Sequence, residues 1–415
     1  MRSAPTGDPA LVPPAGDSHP DRWRMLGLLT VAELLGMTLW FAASAVSAQY
    51  TAQWTLSSSE AAWLTTIVQL GFVTGTAISA VLNVADIVPA RALFAACALV
   101  GAAANAMLLQ SEQLSGALLW RFITGLALAG VYPPAMKMIA TWFRARRGLA
   151  VGTIVGALTV GKAMPYLVHA IPGAGITPVV ASASVGACLA ALLVWLGYRE
   201  GPYPFPARPF SWHLVREVVR TPAWRLSTGG YLGHMFELYA AWTWLPVFIA
   251  ASIATHDPTA GARGVSMASA IAFAALAIGG AGCIWGGLVA DRRGRAWLVT
   301  RAMAISGACS VLIGFAFGRS LWLLVPVALV WGFFVIADSA QFSVLVTESV
   351  PPHAVGTALT LQTSLGFLLT AAVIQLVPPL AARVGWQWAF VLLSLGPVFG
   401  IASIARLVRS TAGRR

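Results

Sequence analysis

Apolar runs of about 20 residues recur along the whole chain, each long enough to cross a bilayer as a helix. Twelve are readable: 25–47, 61–83, 92–110, 117–141, 147–170, 177–197, 223–251, 265–290, 297–317, 321–346, 354–378 and 386–407. A soluble fold would need polar outer helices to cover so many apolar ones, and the sequence has none. With 58% hydrophobic and 10% charged residues and a mean hydropathy of +0.78, the expected class is an all-α polytopic membrane protein of twelve transmembrane helices. The 24-residue leader and the length of the first run argue against a cleaved signal peptide, although Ala45-Val-Ser-Ala48 has small-residue character. Cys97, Cys188, Cys283 and Cys309 all fall inside runs without metal-ligand spacing and read as packing residues. No metal, cofactor or catalytic constellation is expected, and the longest non-membrane piece is too short to fold as an enzyme domain.

The net charge of +12 is segregated. If the N-terminus is cytoplasmic, twenty arginines lie on inner segments and only Arg263, Arg319 and Arg383 on outer ones. That bias predicts cytoplasmic termini and excludes nucleic acid as the partner, leaving membrane lipids as the match for the basic rim.

The longest polar break, 198–222, contains Pro202, Pro204, Pro206 and Pro209 and divides the runs six and six. The expected organisation is a leader over 1–24, a six-helix bundle over 25–197, a cytoplasmic linker over 198–222, a second bundle over 223–407 and a tail over 408–415. Asp86 and Asp291, Gly125 and Gly332, and Gly148 and Gly356 recur at offsets of 205 to 208 residues, which points to duplication. Two such bundles around a central site are a layout for alternating access. Gly152, Gly156 and Gly161 lie near one face of the fifth run, where small residues permit close helix approach.

The stretch Gly287-Leu-Val-Ala-Asp291-Arg292-Arg293-Gly294-Arg295 places a turn glycine, an acid at a helix end and several arginines after the eighth run. Leu82-Asn-Val-Ala-Asp86-Ile-Val-Pro89-Ala-Arg91 keeps the acid and one arginine after the second. Arg121-Phe-Ile-Thr-Gly125 opens the fourth. The first two stretches resemble the loop signature of the major facilitator superfamily, and the third resembles its RxxxG element; the resemblance covers the chain from the first run to the last. It implies gating roles for Asp291, Arg292, Arg295, Asp86 and Arg91, and links Arg121 to proton coupling. Tyr132-Pro133-Pro134, His234-Met-Phe-Glu237-Leu-Tyr239 and Asp338-Ser-Ala-Gln341-Phe342 are similar to bacterial porters grouped with nitrate/nitrite and cyanate permeases, which implies a bacterial inner membrane. Nitrate porters carry an arginine in the second and the eighth span, whereas 61–83 and 265–290 contain no basic residue.

Charge inside lipid is costly, so buried ionisable groups mark function or pairing. The chain has two lysines, both inside runs. At about 1.5 Å per residue, Lys137 lies ~10 Å from the inner surface and Lys162 ~22 Å. Lys162 is the candidate substrate contact; Lys137 is an exit-side gating residue or a snorkelling one. His234 and Glu237 share one face of the seventh run and read as a proton relay or a static pair. Tyr239, Trp242 and Tyr132 would wall the site, and Asp338 and Gln341 would complete it. Glu33 joins Glu237, His234, Asp338 and Arg121 as a proton-coupling candidate.

The expected function is proton-coupled movement of a small organic anion by a functional monomer. Proton-driven export of an amphipathic or cationic compound and substrate/substrate exchange stay open.

Overall fold

The computed structural model describes residues 19–144, 146–203, 211–351 and 353–412, so most of the leader, part of the linker and the end of the tail lie outside it. The described residues form helices joined by short turns, with no strand among them. Eleven helices are long and apolar enough to span: Ser58–Val81, Ala90–Gln110, Leu114–Ala140, Gly148–His169, Ile176–Gly197, Pro222–His256, Gly261–Arg293, Arg295–Phe315, Leu321–Ser349, Val355–Val384 and Trp386–Ser410. These are spans two to twelve in chain order.

The expected twelfth crossing is span one, and it is not continuous. Its helix runs Arg22–Met37, breaks at Thr38–Phe41, and resumes as Ala42–Ala45 and Ser47–Trp54. No proline accounts for the break. The hydroxyl of Thr38 donates to the Leu35 and Ala183 carbonyls, and the carbonyls of Leu39 and Trp40 are taken by the Arg121 guanidinium. A neighbouring helix therefore supplies the donors that an unbroken helix would have supplied itself. Irregular backbone at membrane depth survives only where protein satisfies it.

Two further spans are interrupted. Span four consists of Leu114–Leu128 and Tyr132–Ala140; Pro133 and Pro134 have no N–H to give to the turn before them. Span ten breaks at Asp338, between Leu321–Ala337 and Ser339–Ser349. Within the linker, Trp212–Arg220 is a short helix that packs Val218 against Trp224, Val346 and Ala354.

The halves repeat the same close contacts. A Cβ on Gly125 of span four would strike the Val68 carbonyl of span two, and a Cβ on Gly75 would strike the Leu126 carbonyl. In the second half a Cβ on Gly332 would strike the Ala275 carbonyl, and one on Gly282 the Phe333 carbonyl. Each residue of the second set lies 207 positions after its counterpart. Here the helix backbones approach so closely that only glycine fits.

Between the halves, span five lies along span eight with glycine against glycine: a Cβ on Gly156 would stand 3.1 Å from the Gly280 carbonyl, and the reverse holds. Span two meets span eleven, where Gln375 Nε2 donates to Thr66 Oγ1 at 3.0 Å. Near the end of the seam away from the arginine-rich face, His169 Nδ1 lies 2.8 Å from Ser269 Oγ. Toward the arginine-rich face, Gly148 and Gly152 of span five have nothing within 4 Å of a Cβ position.

Candidate functional site

One turn before the break in span one, Gly161 lets the backbone of span five approach the Leu34 carbonyl. The next residue, Lys162, is thereby buried at the seam. Its ammonium donates to the Tyr239 hydroxyl and lies 3.9 Å from the ring centroid of Trp40, 4.7 Å from that of Tyr239 and 5.9 Å from that of Trp242. Trp40 comes from one half, Tyr239 and Trp242 from the other. A cation over aromatic faces gains from their quadrupoles, and gains more when water is excluded.

More rings close the cage. Trp40 contacts Phe72 of span two and Phe367 of span eleven with centroids 5.2 and 5.6 Å away, and Phe41 lies 6.3 Å from Trp242. Glu33, fully buried in span one, interacts electrostatically with Lys162. Neither of its carboxylate oxygens has a hydrogen-bond partner. Unpartnered polar atoms also occur on Trp40 Nε1, Trp242 Nε1, Gln362 Oε1, the Tyr166 hydroxyl and both ends of the Gln69 amide. Tyr132, beside the break in span four, interacts electrostatically with Glu33.

A second polar cluster lies in the other half. His234 Nδ1 stands 2.9 Å from Asp338 Oδ1, both groups buried, and the imidazole packs against Tyr231 and Phe342. Gln341 follows one turn into the second segment of span ten and is also buried. Glu237 does not pair with His234. It points into the second-half helices, where Ser306 Oγ donates to one oxygen at 2.8 Å and Trp331 Nε1 to the other at 2.7 Å.

Arg121 occupies none of these clusters. Its Nε donates to Leu64 O at 3.1 Å, and its two terminal nitrogens donate to Leu39 O and Trp40 O at 2.8 and 2.5 Å. A planar fork of donors suits three carbonyls better than a lysine would. The arginine therefore fixes the break that holds Trp40 over Lys162.

The residues expected to gate are dispersed. Arg295 pairs with Glu348 at the end of span ten, 2.7 Å away, rather than with Asp291. Asp291 and Arg292 are exposed, and neither makes an ion pair among the described residues. The Arg91 guanidinium lies over the Trp195 ring at 5.1 Å, and the side chain of Asp86 falls outside the described residues. Lys137 lines a cavity of about 60 Å³ with Ser79, Leu93 and Pro134, all from the first half, and so stands apart from the Lys162 cage.

Sequence reasoning passed over Trp40, Phe41, Gln69, Phe72 and Phe367. An aromatic pair following a threonine in mid-span, and an amide amid the apolar residues of span two, were the available signals.

No curated protein matches the chain in sequence. Among solved structures, a bacterial homologue of the human lysosomal transporter Spinster, inward-facing and unoccupied, is similar to it. The TM-score is 0.74 at 17% identity, covering 96% of this chain and 99% of that one. The same homologue, inward-facing and occupied, gives a TM-score of 0.66 at 16% identity over 95% of this chain and 98% of that one. A mutant form of the nucleoside transporter NupG gives 0.68 at 16% identity over 92% of this chain and 99% of that one. At such identities the likeness concerns the fold. The sequence pattern of the Major Facilitator Superfamily matches residues 28–374, most of the chain and both of its halves; the chain belongs to the Major Facilitator Superfamily and is a membrane transporter rather than an enzyme.

Proposed function

We propose that the protein carries a small organic anion together with a proton across a bacterial inner membrane, with Lys162 as the anion contact and Glu33 as the proton carrier. The observation that carries this reading is the pairing of a buried lysine with a buried carboxylate whose oxygens have no hydrogen-bond partner. A buried charge needs a counter-charge. Glu33 serves as that counter-charge for Lys162 while the site is empty. An incoming anion takes over the ammonium, and Glu33 then becomes an uncompensated buried carboxylate unless it binds a proton. Anion and proton thus enter together by charge balance alone.

The unpartnered indole N–H groups of Trp40 and Trp242 would donate to the anion, and Tyr239, Gln362 and Tyr132 would complete the rim. A small anion is also what a place near the nitrate/nitrite and cyanate permease-like porters would imply. His234 and Asp338 form a second buried polar pair, while Glu237 and Arg121 position span seven and span one. The positive-inside bias supports a cytoplasmic arginine-rich face and cytoplasmic termini, and the unfilled space beside Gly148 and Gly152 then fits a site reached from within. Each monomer holds a complete site.

The test is uptake into proteoliposomes across a panel of radiolabelled organic anions, with and without an imposed pH gradient. Lys162→Gln is expected to abolish uptake, and Glu33→Gln to leave exchange of the anion intact but indifferent to the gradient. Uptake that survives Lys162→Gln sinks this reading.

A second reading rests on the same unpartnered carboxylate. Glu33 within an aromatic cage can receive a cationic substrate, with Lys162 as the ion it displaces. It predicts that Glu33→Gln abolishes binding of a lipophilic cation such as tetraphenylphosphonium, and that Lys162→Gln does not.

A further inference from the structure

The turn between spans eight and nine builds a second basic site, on the lipid-facing flank of the arginine-rich end. Gly294 adopts φ +90°, a conformation that suits glycine, and folds Arg293 back onto the start of span nine. The Arg293 guanidinium lies 5.0 Å from the centroid of Trp297, and the Arg301 guanidinium 5.8 Å from the same ring. Both arginines and the indole are exposed. Among the described residues no carboxylate pairs with either guanidinium; the nearby Glu348 is held by Arg295.

Depth makes this arrangement unusual. Arg301 follows Arg295 by six residues, ~9 Å along the helix, and shares its face with Ala304, Ala308 and Leu312, all exposed. A cation at the foot of an apolar, bilayer-facing strip is placed to meet an anionic headgroup that arrives from the bilayer. Arg406 and Arg409, exposed at the end of span twelve, add to the positive potential at this corner, because span twelve packs along span nine with Pro397 against Gly307.

We propose that Arg293, Trp297 and Arg301 form a headgroup site for an anionic phospholipid. The two guanidiniums bracket its phosphate, the indole lies at the glycerol level where tryptophan is favoured, and the acyl chains run along Ala304, Ala308 and Leu312. A zwitterionic lipid brings an ammonium that two guanidiniums repel, and free phosphate lacks the chains that the strip would cover.

Native mass spectrometry of the full-length protein, released from micelles doped with phosphatidylglycerol or phosphatidylcholine, tests this. The wild type is expected to retain phosphatidylglycerol in preference to phosphatidylcholine. Arg301→Gln should lower retention to the phosphatidylcholine level, Arg301→Lys should keep part of it, and Arg383→Gln, at the opposite end of the molecule, should keep all of it. The site is overturned if Arg301→Gln retains as much phosphatidylglycerol as the wild type, if the wild type shows no preference, or if glycerol phosphate alone competes the lipid off. Thermal unfolding of each variant without added lipid separates loss of the site from loss of the fold, since a folded variant that has lost only the site keeps the wild-type midpoint.

Discussion

Arg121 shows how a charged residue can support the Lys162 cage without touching it. Its Nε and both terminal nitrogens donate to backbone carbonyls, which commits the group to holding the break in span one. Replacing it with glutamine strands carbonyls in a dry interior, at a cost of about 1–3 kcal/mol for each group left unpaired. Arg121→Gln is therefore expected to lower the thermal unfolding midpoint in detergent and to abolish transport. Arg121→Lys should recover part of the stability but little of the transport, because one ammonium cannot hold Leu39 and Trp40 in register. Unchanged stability together with lost coupling would instead put the arginine in the proton path. At this scale the sequence was informative about charge and silent about partners. Lys162 and Glu33 stand out because ionisable groups are rare in apolar runs, but that Glu237 turns toward Ser306 and Trp331 depends on the rotation of span seven. Periodicity could not fix that rotation, since span seven is apolar or aromatic around much of its circumference.

Helices two to twelve were legible as elements because a run of apolar residues long enough to span has few other stable states in a bilayer. The interruptions were less so. Pro133 and Pro134 account for the one in span four, whereas the one in span one depends on groups supplied by other helices. The glycine contacts of Gly125 on Val68 and Gly332 on Ala275 turn a faint numerical echo in the sequence into a repeated mechanical joint. Adding a side chain at either joint overpacks it by about 1–3 kcal/mol. Gly125→Val and Gly332→Val should lower the unfolding midpoint in detergent by similar amounts, while Gly148→Val, with open space around it, should leave it near the wild-type value. A large drop for Gly148→Val would show that the seam is closed there as well.

Taken as a whole molecule, the two halves meet through smooth backbone at Gly156 and Gly280, an aromatic cage around Lys162 and a polar latch of His169 on Ser269. The latch is the place to lock the molecule. With His169→Cys and Ser269→Cys combined, an oxidant should cross-link the halves and stop transport, and a reductant should restore it, while each single variant ignores both treatments. Full transport by the cross-linked protein would exclude opening at that end. The broken first span also bears on biogenesis. The two carbonyls freed by the break are answered by a side chain some 80 positions later in the chain. The break therefore lacks its native donors until the fourth crossing docks, so that completion of the Lys162 cage waits for four of the six crossings of the first bundle to arrive.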